Sequence, residues 1–244
     1  MHIQLLSDLH IDHHRDYGKL FANKLDSTNV DVLVIAGDTV ELRSINEVIP
    51  FYKIICDKYP LVLEVLGNHS FYNSSPAKVD EYRNELRNKF SNLHILDNEV
   101  YTINDQSFVG STLWFPDNPT NVLHEKYMND FIVIKNFKPW VYDKNKACVD
   151  FISDNLNEGD VLITHHMPSP KCVASKYRNN ELNRFFVCDI EKTILEKKPK
   201  VALFGHTHHQ MDFNIGDVRF VCNSYGYPGE PTREDFDPKL IINI

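Results

Sequence analysis

The stretch LFGHTHHQ (Leu203–Gln210) puts three imidazoles into the four positions 206–209, straight after an apolar run and a glycine. A short apolar run rich in aliphatic residues reads as a buried strand, and one that stops abruptly at polar donors delivers them to a cavity edge. The same arrangement recurs along the chain. IQLLSDLH ends in Asp8 and His10, VLVIAGD in Asp38, LVLEVLGNH in Asn68 and His69, and VLITHH in His165 and His166. In open α/β sheets ligands bind beyond the carboxyl ends of the strands, so these groups are expected to converge.

Between the apolar runs lie polar segments with helical spacing. RSINEVIPFYKIICDKY has one apolar face but carries Pro50, which predicts a kink or a late start. SSPAKVDEYRNELRNKF opens on serines and Pro76, a helix-start signal. KNKACVDFISDNL and DIEKTILEKK are also amphipathic, with Pro199 ending the second. Strands alternating with helices predict an α/β fold, and the later runs RFVCN and KLIINI add antiparallel pairs. A layered sheet sandwich with helices outside satisfies both. Residues 111–142 have little periodicity and hold Trp114, Phe115, Met128, Phe131 and Trp140; they read as a packed excursion or as a lid beside a site.

Composition excludes several classes. The chain of 244 residues has a formal net charge of −8, which gives no general attraction to nucleic acid or anionic membrane. Its first residues lack the basic and apolar regions of a signal peptide, and no run is long enough to span a bilayer. The five cysteines are scattered without a C-x-x-C pair, the pattern of reduced thiols in a cytoplasmic protein.

Carboxylates and imidazoles gathered in one pocket are costly to desolvate, and divalent cations remove that cost. Residues two apart on extended chain point the same way, so Asp8 and His10 are expected to reach one ion and His206 and His208 one cavity, with His209 turned away. Gly37, Gly67 and Gly205 each precede a functional residue and read as points of close backbone approach.

The ordered fragments DLH (Asp8–His10), GD (Gly37–Asp38), GNH (Gly67–His69), THH (Thr164–His166) and GHTH (Gly205–His208) resemble the signature of the calcineurin-like metallophosphoesterases. The ending VCNSYGYPGEPTREDFDPKL is similar to the tails of bacterial and phage members. The resemblance implies a four-layer αββα sandwich with mixed β-sheets over a single domain, residues 1–244. It implies two divalent metal ions, manganese foremost, with iron, zinc or cobalt as alternatives. Asp8, His10 and His208 would bind one ion, Asn68, His165 and His206 the other, and Asp38 would bridge them. His165 is preferred to His166 because the family's ligand follows its strand directly.

The implied reaction is hydrolysis of a phosphate monoester or diester by a metal-bridging hydroxide. Asn68 and the metals would stabilise the phosphoryl oxygens, and His69 would protonate the leaving group. The family's acid after G-N-H is replaced by Ser70, which bears on how His69 is held. Partners are then a phosphate-ester substrate, with nucleotides and nucleic-acid ends open, long nucleic acid disfavoured and no membrane. Lys171, Lys176 and Arg178 could meet a substrate anion or face solvent, and Phe71 and Tyr72 could stack on a base or fill the core. His13 or His14 could touch substrate, while His2, His94 and His124 read as surface or core residues. The rival functional class is a catalytically inactive, metal-supported protein-binding scaffold; a closed structural zinc site fits poorly, because the set lacks cysteine and includes Asn68.

Overall fold

The computed structural model describes residues 1–43 and 45–244. Its strands are β1 (His2–Leu6), β2 (Val32–Ala36), β3 (Val62–Val65), β4 (Leu93–Leu96), β5 (Glu99–Ile103), β6 (Gln106–Ser111), β7 (Val161–Thr164), β8 (Val201–Leu203), β9 (Met211–Ile215), β10 (Val218–Cys222) and β11 (Ile241–Asn243). They form one sheet in the order β11-β1-β2-β3-β4 and a second in the order β5-β6-β7-β8-β10-β9. Pairing is parallel inside each sheet and antiparallel for β11 with β1, β5 with β6 and β9 with β10. The helices are α1 (Lys19–Lys24), α2 (Ile45–Lys58), α3 (Pro76–Lys89), α4 (Asn129–Val133), α5 (Phe137–Asn155) and α6 (Glu191–Lys197).

Side-chain parity stacks these elements into four layers. Ile3 and Leu5 of β1, Val32, Val34 and Ala36 of β2, Val161 and Ile163 of β7 and Val201 and Leu203 of β8 meet in one apolar cluster between the sheets. Their strand neighbours Leu6, Leu33, Ile35, Leu162 and Ala202 join a second cluster with helical residues such as Val48, Phe51, Val141 and Ile152. A strand apolar on both faces needs cover on both. The two sheets cover each other and the helices cover the outer faces, giving the αββα sandwich.

Three expectations change. Helix α2 runs through Pro50 without a break in assignment. The proline sits on the exposed face, where the carbonyl left without a donor is open to water. Ser44, within the segment expected to form this helix, lies outside the described residues. Helix α5 starts at Phe137, upstream of the amphipathic run, because Pro139 falls in its first turn, where a missing N–H breaks no bond. The segment 111–142 is divided: residues 116–120 are exposed and Tyr127, Met128, Asn129 and Asp130 line the cleft, while Trp114 and Phe115 are fully buried, with Trp114 ring centroids 5.4 Å from Phe71 and 5.3 Å from Phe137.

One buried acid stands apart from the cleft. Parity in β3 turns Glu64 to the helix side, where its Oε1 accepts from Thr39 Oγ1 at 2.6 Å and from Tyr52 Oη at 3.1 Å while Oε2 has no partner. Burial pushes its carboxyl up from 4.5 to about 7, with the two hydrogen bonds pulling the other way. The folded protein therefore keeps a proton that the unfolded chain releases between pH 4.5 and about 7, and stability falls as pH rises through that window. The full effect is on the order of 3 kcal/mol, two to three pH units at about 1.4 kcal/mol each. The Glu64→Gln variant should show a flatter melting temperature from pH 5 to 8 than the wild type, by thermal denaturation at each pH. Parallel curves for the two proteins would exclude this titration.

Candidate metal centre

Asp8, His10, Asp38, Asn68, His165, His206 and His208 lie together beyond the carboxyl ends of β1, β2, β3, β7 and β8. They do not converge by strand alternation, as the two-residue spacing suggested. The strands stop short, and Asp8, His10, Asp38, His206 and His208 take left-handed backbone with φ between 43° and 66°. Such φ values are rare outside glycine and persist only where surrounding structure enforces them. Here the enforcement is visible: the Asp8, His10 and Ile11 amides donate to the carbonyls of Gly37, Asp38 and Thr39, and the His206 amide donates to the Asp8 carboxylate at 2.9 Å. Close approach then demands glycine. A Cβ on Gly67 would lie 2.0 Å from Asp38 Oδ1, and one on Gly37 (φ +87°) would lie 2.3 Å from His165 Nδ1.

The donor atoms form three overlapping groups, Asp8–His10–His208, His10–Asp38–His69 and Asp38–His165–His206. His10 Nε2 and His208 Nε2 are 3.2 Å apart, and His208 Nε2 is 3.6 Å from Asp8 Oδ1. Two imidazole nitrogens about 2.0–2.1 Å from one cation sit roughly 3.0–3.4 Å from each other, so this spacing suits a shared ion. The second group makes the same point through lone pairs. His165 Nδ1–H donates to the Ala36 carbonyl at 3.0 Å, which leaves the Nε2 lone pair facing Asn68 Oδ1 at 3.1 Å and Asp38 Oδ2 at 3.3 Å. Three electron-pair donors meeting without a positive charge is unfavourable, and a cation resolves it. His10 Nδ1 and His206 Nε2 are also buried without a partner. The mixed nitrogen and oxygen set fits a borderline transition metal better than calcium.

Without the ion, protons take its place. Burial pulls the His165 ring down, but the Asp38 carboxylate outweighs it and holds the imidazolium up to about 9. Burial would raise Asp38, yet His165, His69 and His10 around it hold the carboxyl well below its usual range. His206, buried beside His166 and His165, is depressed, and burial depresses His10 likewise.

Three positioning residues escaped the sequence reading. Asp130, fully buried on α4, accepts from Asn68 Nδ2 at 2.9 Å and from Tyr72 Oη at 2.7 Å, so the Asn68 carbonyl must turn inward. Glu230 Oε2 accepts from His208 Nδ1 at 2.8 Å and from the Tyr227 amide at 3.0 Å, fixing the tautomer that frees His208 Nε2. Tyr227 stacks on His10 with centroids 4.2 Å apart, and its Oη lies 2.8 Å from His69 Nε2. The GYPGE residues of the tail were the one sequence cue for Tyr227 and Glu230; nothing marked Asp130. Ser70 leaves His69 without an adjacent acid, and the ring is held instead by stacking on Tyr72 at 4.0 Å and by Tyr227.

The remaining candidates separate cleanly. His166 is fully buried, gives its Nδ1–H to the Thr112 carbonyl and stays neutral, burial bringing it down to about 3. His209 is not turned away; it lines the same cleft, as do Lys176, Tyr177, Phe186 and Tyr227. Phe71 is core and Tyr72 lines the cleft. His13 reaches only the edge of Tyr227, centroids 5.1 Å apart, and His14 packs near Tyr225. Lys171 is paired with Glu191 at 2.6 Å. All five cysteines are free thiols, and among the described residues no helix is long and apolar enough to cross a membrane.

Residues 1–210 match the family model described as calcineurin-like phosphoesterase. An uncharacterized protein, L509, of Acanthamoeba polyphaga mimivirus is 29% identical over 276 aligned positions covering 99% of this chain and 96% of that one. Phosphopantetheinyl hydrolase (PptH) from Mycobacterium tuberculosis shares the fold at a TM-score of 0.72 and 19% identity, over 93% of this chain and 89% of that one. GAP50, the anchor in the inner membrane complex of Plasmodium, is similar at a TM-score of 0.54 and 11% identity, over 95% of this chain and 74% of that one.

If Asp130 orients Asn68, the Asp130→Ala variant should bind Mn²⁺ about 10–100-fold more weakly, the usual cost of losing a partner that orients a metal ligand. Tyr72→Phe, which spares the Asp130–Asn68 bond, should lose less. Calorimetric titration of the folded, metal-free proteins measures both, and equal affinity for wild type and Asp130→Ala would remove the assigned role.

Proposed function

The chain belongs to the calcineurin-like phosphoesterase family, and from that premise we propose that it hydrolyses a phosphate monoester or diester with two divalent cations, manganese first among them. The observation that carries this reading is the place of Asp38. Its Oδ2 lies 3.9 Å from His10 Nε2 on one side and 3.3 Å from His165 Nε2 on the other, a position from which one carboxylate could serve both donor groups. When bound, such a pair supplies Lewis acidity and acidifies water to serve as the nucleophile.

The chain's own groups do the rest. Asp8, His10 and His208 hold one position and Asn68, His165 and His206 the other, with Asp38 common to both. Asn68, its Nδ2 donating to Asp130 Oδ1 and Tyr72 Oη, presents oxygen to the ion and no donor to compete with it. Stacking on Tyr72 fixes the His69 ring plane, and the hydrogen bond between Tyr227 Oη and His69 Nε2 sets which ring nitrogen carries the proton. A proton held on this pair at the cleft surface is available to the departing alkoxide or phenoxide oxygen. Burial, followed by Asp38 and Asp8, raises the Tyr227 phenol, so it stays protonated and acts as a donor.

A metal-supported scaffold would need the metal donors but not the His69–Tyr227 pair beside them. The complete donor set, with Asp130, Glu230 and Tyr227 arranged behind it, supports catalysis over that alternative, even though the fold also occurs in the Plasmodium anchor.

With Mn²⁺, Asp38→Asn should lose turnover of aryl phosphates by at least about 10³-fold and bind at most one ion per chain by metal analysis. Full activity in a folded Asp38→Asn protein would end the two-ion reading. His69→Ala should slow poor leaving groups by about 10²–10⁴-fold and good ones far less. Tyr227→Phe should show the same trend at about a tenth of that size. A uniform loss across the leaving-group series would exclude proton donation by this pair.

A further inference from the structure

The cleft over the metal-ligand residues, about 490 Å³, is flanked by a second pocket of about 310 Å³, and the two share Val173 and Asn183 in their walls. The second pocket carries Arg178 and Arg184. Among the described residues neither Arg178 nor Arg184 has a carboxylate within ion-pair distance; the nearby Glu181 is engaged with His124 at 3.3 Å. Lys176, on the cleft side, lies over the Tyr177 ring at 4.7 Å and also has no acid partner. Asp189 is the one acid in the wall of the second pocket, and its Oδ1 accepts the Glu191 amide.

The guanidinium of Arg184 is also held in place. Its Nε–H donates to the Glu181 carbonyl at 3.0 Å and its Nη1–H donates to Thr120 Oγ1. Both partners are neutral, so the fork is oriented while its charge stays uncompensated. Arg178 sits at a turn built by amide side chains: Asn183 Nδ2 donates to the Tyr177 carbonyl at 2.7 Å, and Asn180 Oδ1 accepts the Leu182 amide at 2.9 Å. A pre-positioned guanidinium without a carboxylate matches a phosphate, which its N–H groups can meet in pairs. The cleft itself has an apolar part to its lining, made by Met167, Val173, Leu182 and Phe186, and Val173 continues into the second pocket.

We propose that the Arg178–Arg184 pocket is a second anion subsite, and that the substrate is an organic phosphate bearing a further phosphate beyond the scissile one, the two separated by a moiety with an apolar or aromatic face. The scissile group lies over the metal donors, the apolar part rests on Leu182 and Phe186, and the second phosphate is held by the two guanidinium groups. The location of the scissile group rests on the phosphoesterase reading; the subsite itself does not.

Adenosine 3′,5′-bisphosphate and adenosine 5′-monophosphate test the subsite. Metal-free wild type should bind the bisphosphate at least tenfold more tightly by calorimetry, and Arg178→Gln/Arg184→Gln should abolish that preference while leaving monophosphate affinity within twofold. Arg178→Lys/Arg184→Lys, which keeps the charge but loses the fork, should restore part of it and rule out a folding defect. With Mn²⁺, the glutamine double variant should raise KM for the bisphosphate at least tenfold with kcat unchanged. Equal binding of the two nucleotides by wild type, or an unchanged preference in the glutamine double variant, overturns the proposal. A wild type that hydrolyses no phosphate ester but keeps the calorimetric preference refutes the phosphoesterase reading and leaves the subsite standing.

Discussion

Every feature of the cleft follows from one unfavourable arrangement: the electron pairs of His165 Nε2, Asn68 Oδ1 and Asp38 Oδ2 face one another within 3.3 Å. No rearrangement of hydrogen bonds relieves it. The Ala36 carbonyl already accepts from His165 Nδ1–H, and Asp130 already accepts from Asn68 Nδ2–H. Each of these outer contacts is favourable by itself, and together they force the inner lone pairs to meet. A positive charge is the missing element. A proton supplies it in the bare protein, which is why the His165 imidazolium persists to about 9 despite burial. A divalent cation supplies more charge and satisfies all three donors at once.

Holding that arrangement takes backbone strain. Five of the donors sit in left-handed φ, each disfavoured by of order 1–3 kcal/mol. The strain is sustained by the sandwich, because the strands leading into these residues are buried on both faces and cannot shift register without exposing a core. Rigid strands thus end in strained turns, and the turns aim the donors. Gly37 and Gly67 belong to the same constraint, since a side chain at either would occupy the space of His165 or Asp38.

The donors were legible in the sequence because their signal is local: an apolar run, a glycine, then an acid, amide or imidazole. The four-layer fold was legible for the same reason, through runs apolar on both faces. Strands β4, β5, β6 and β9 were not read. β5 and β9 alternate partly buried with exposed residues, and the Asn104–Asp105 turn joining β5 to β6 is a hairpin cue only once its two positive φ values are known. Asp130 was illegible for a different reason. It lies 62 residues from the amide it fixes, in a segment without periodicity, and a lone aspartate on a five-residue helix carries no pattern. Tyr227 and Glu230 were half legible, quoted for a familiar tail but assigned no contact.

This division has a functional consequence. The donors come from strand ends and the groups that orient them from Asp130, Tyr227 and Glu230, whereas much of the cleft rim and the neighbouring pocket comes from irregular chain between β7 and α6. That chain is tied down by short 3₁₀ turns and asparagine side chains rather than by strand pairing. Beyond His165, its first residue, this chain carries no metal donor, so a substitution from Met167 onward changes the cleft rim without replacing one. A substitution at Gly67 or Asp130 acts on the donors themselves. On the proposed function, the chemistry and the choice of substrate would be set by separate parts of one fold, meeting at Val173 and Asn183, which the cleft and the arginine pocket share.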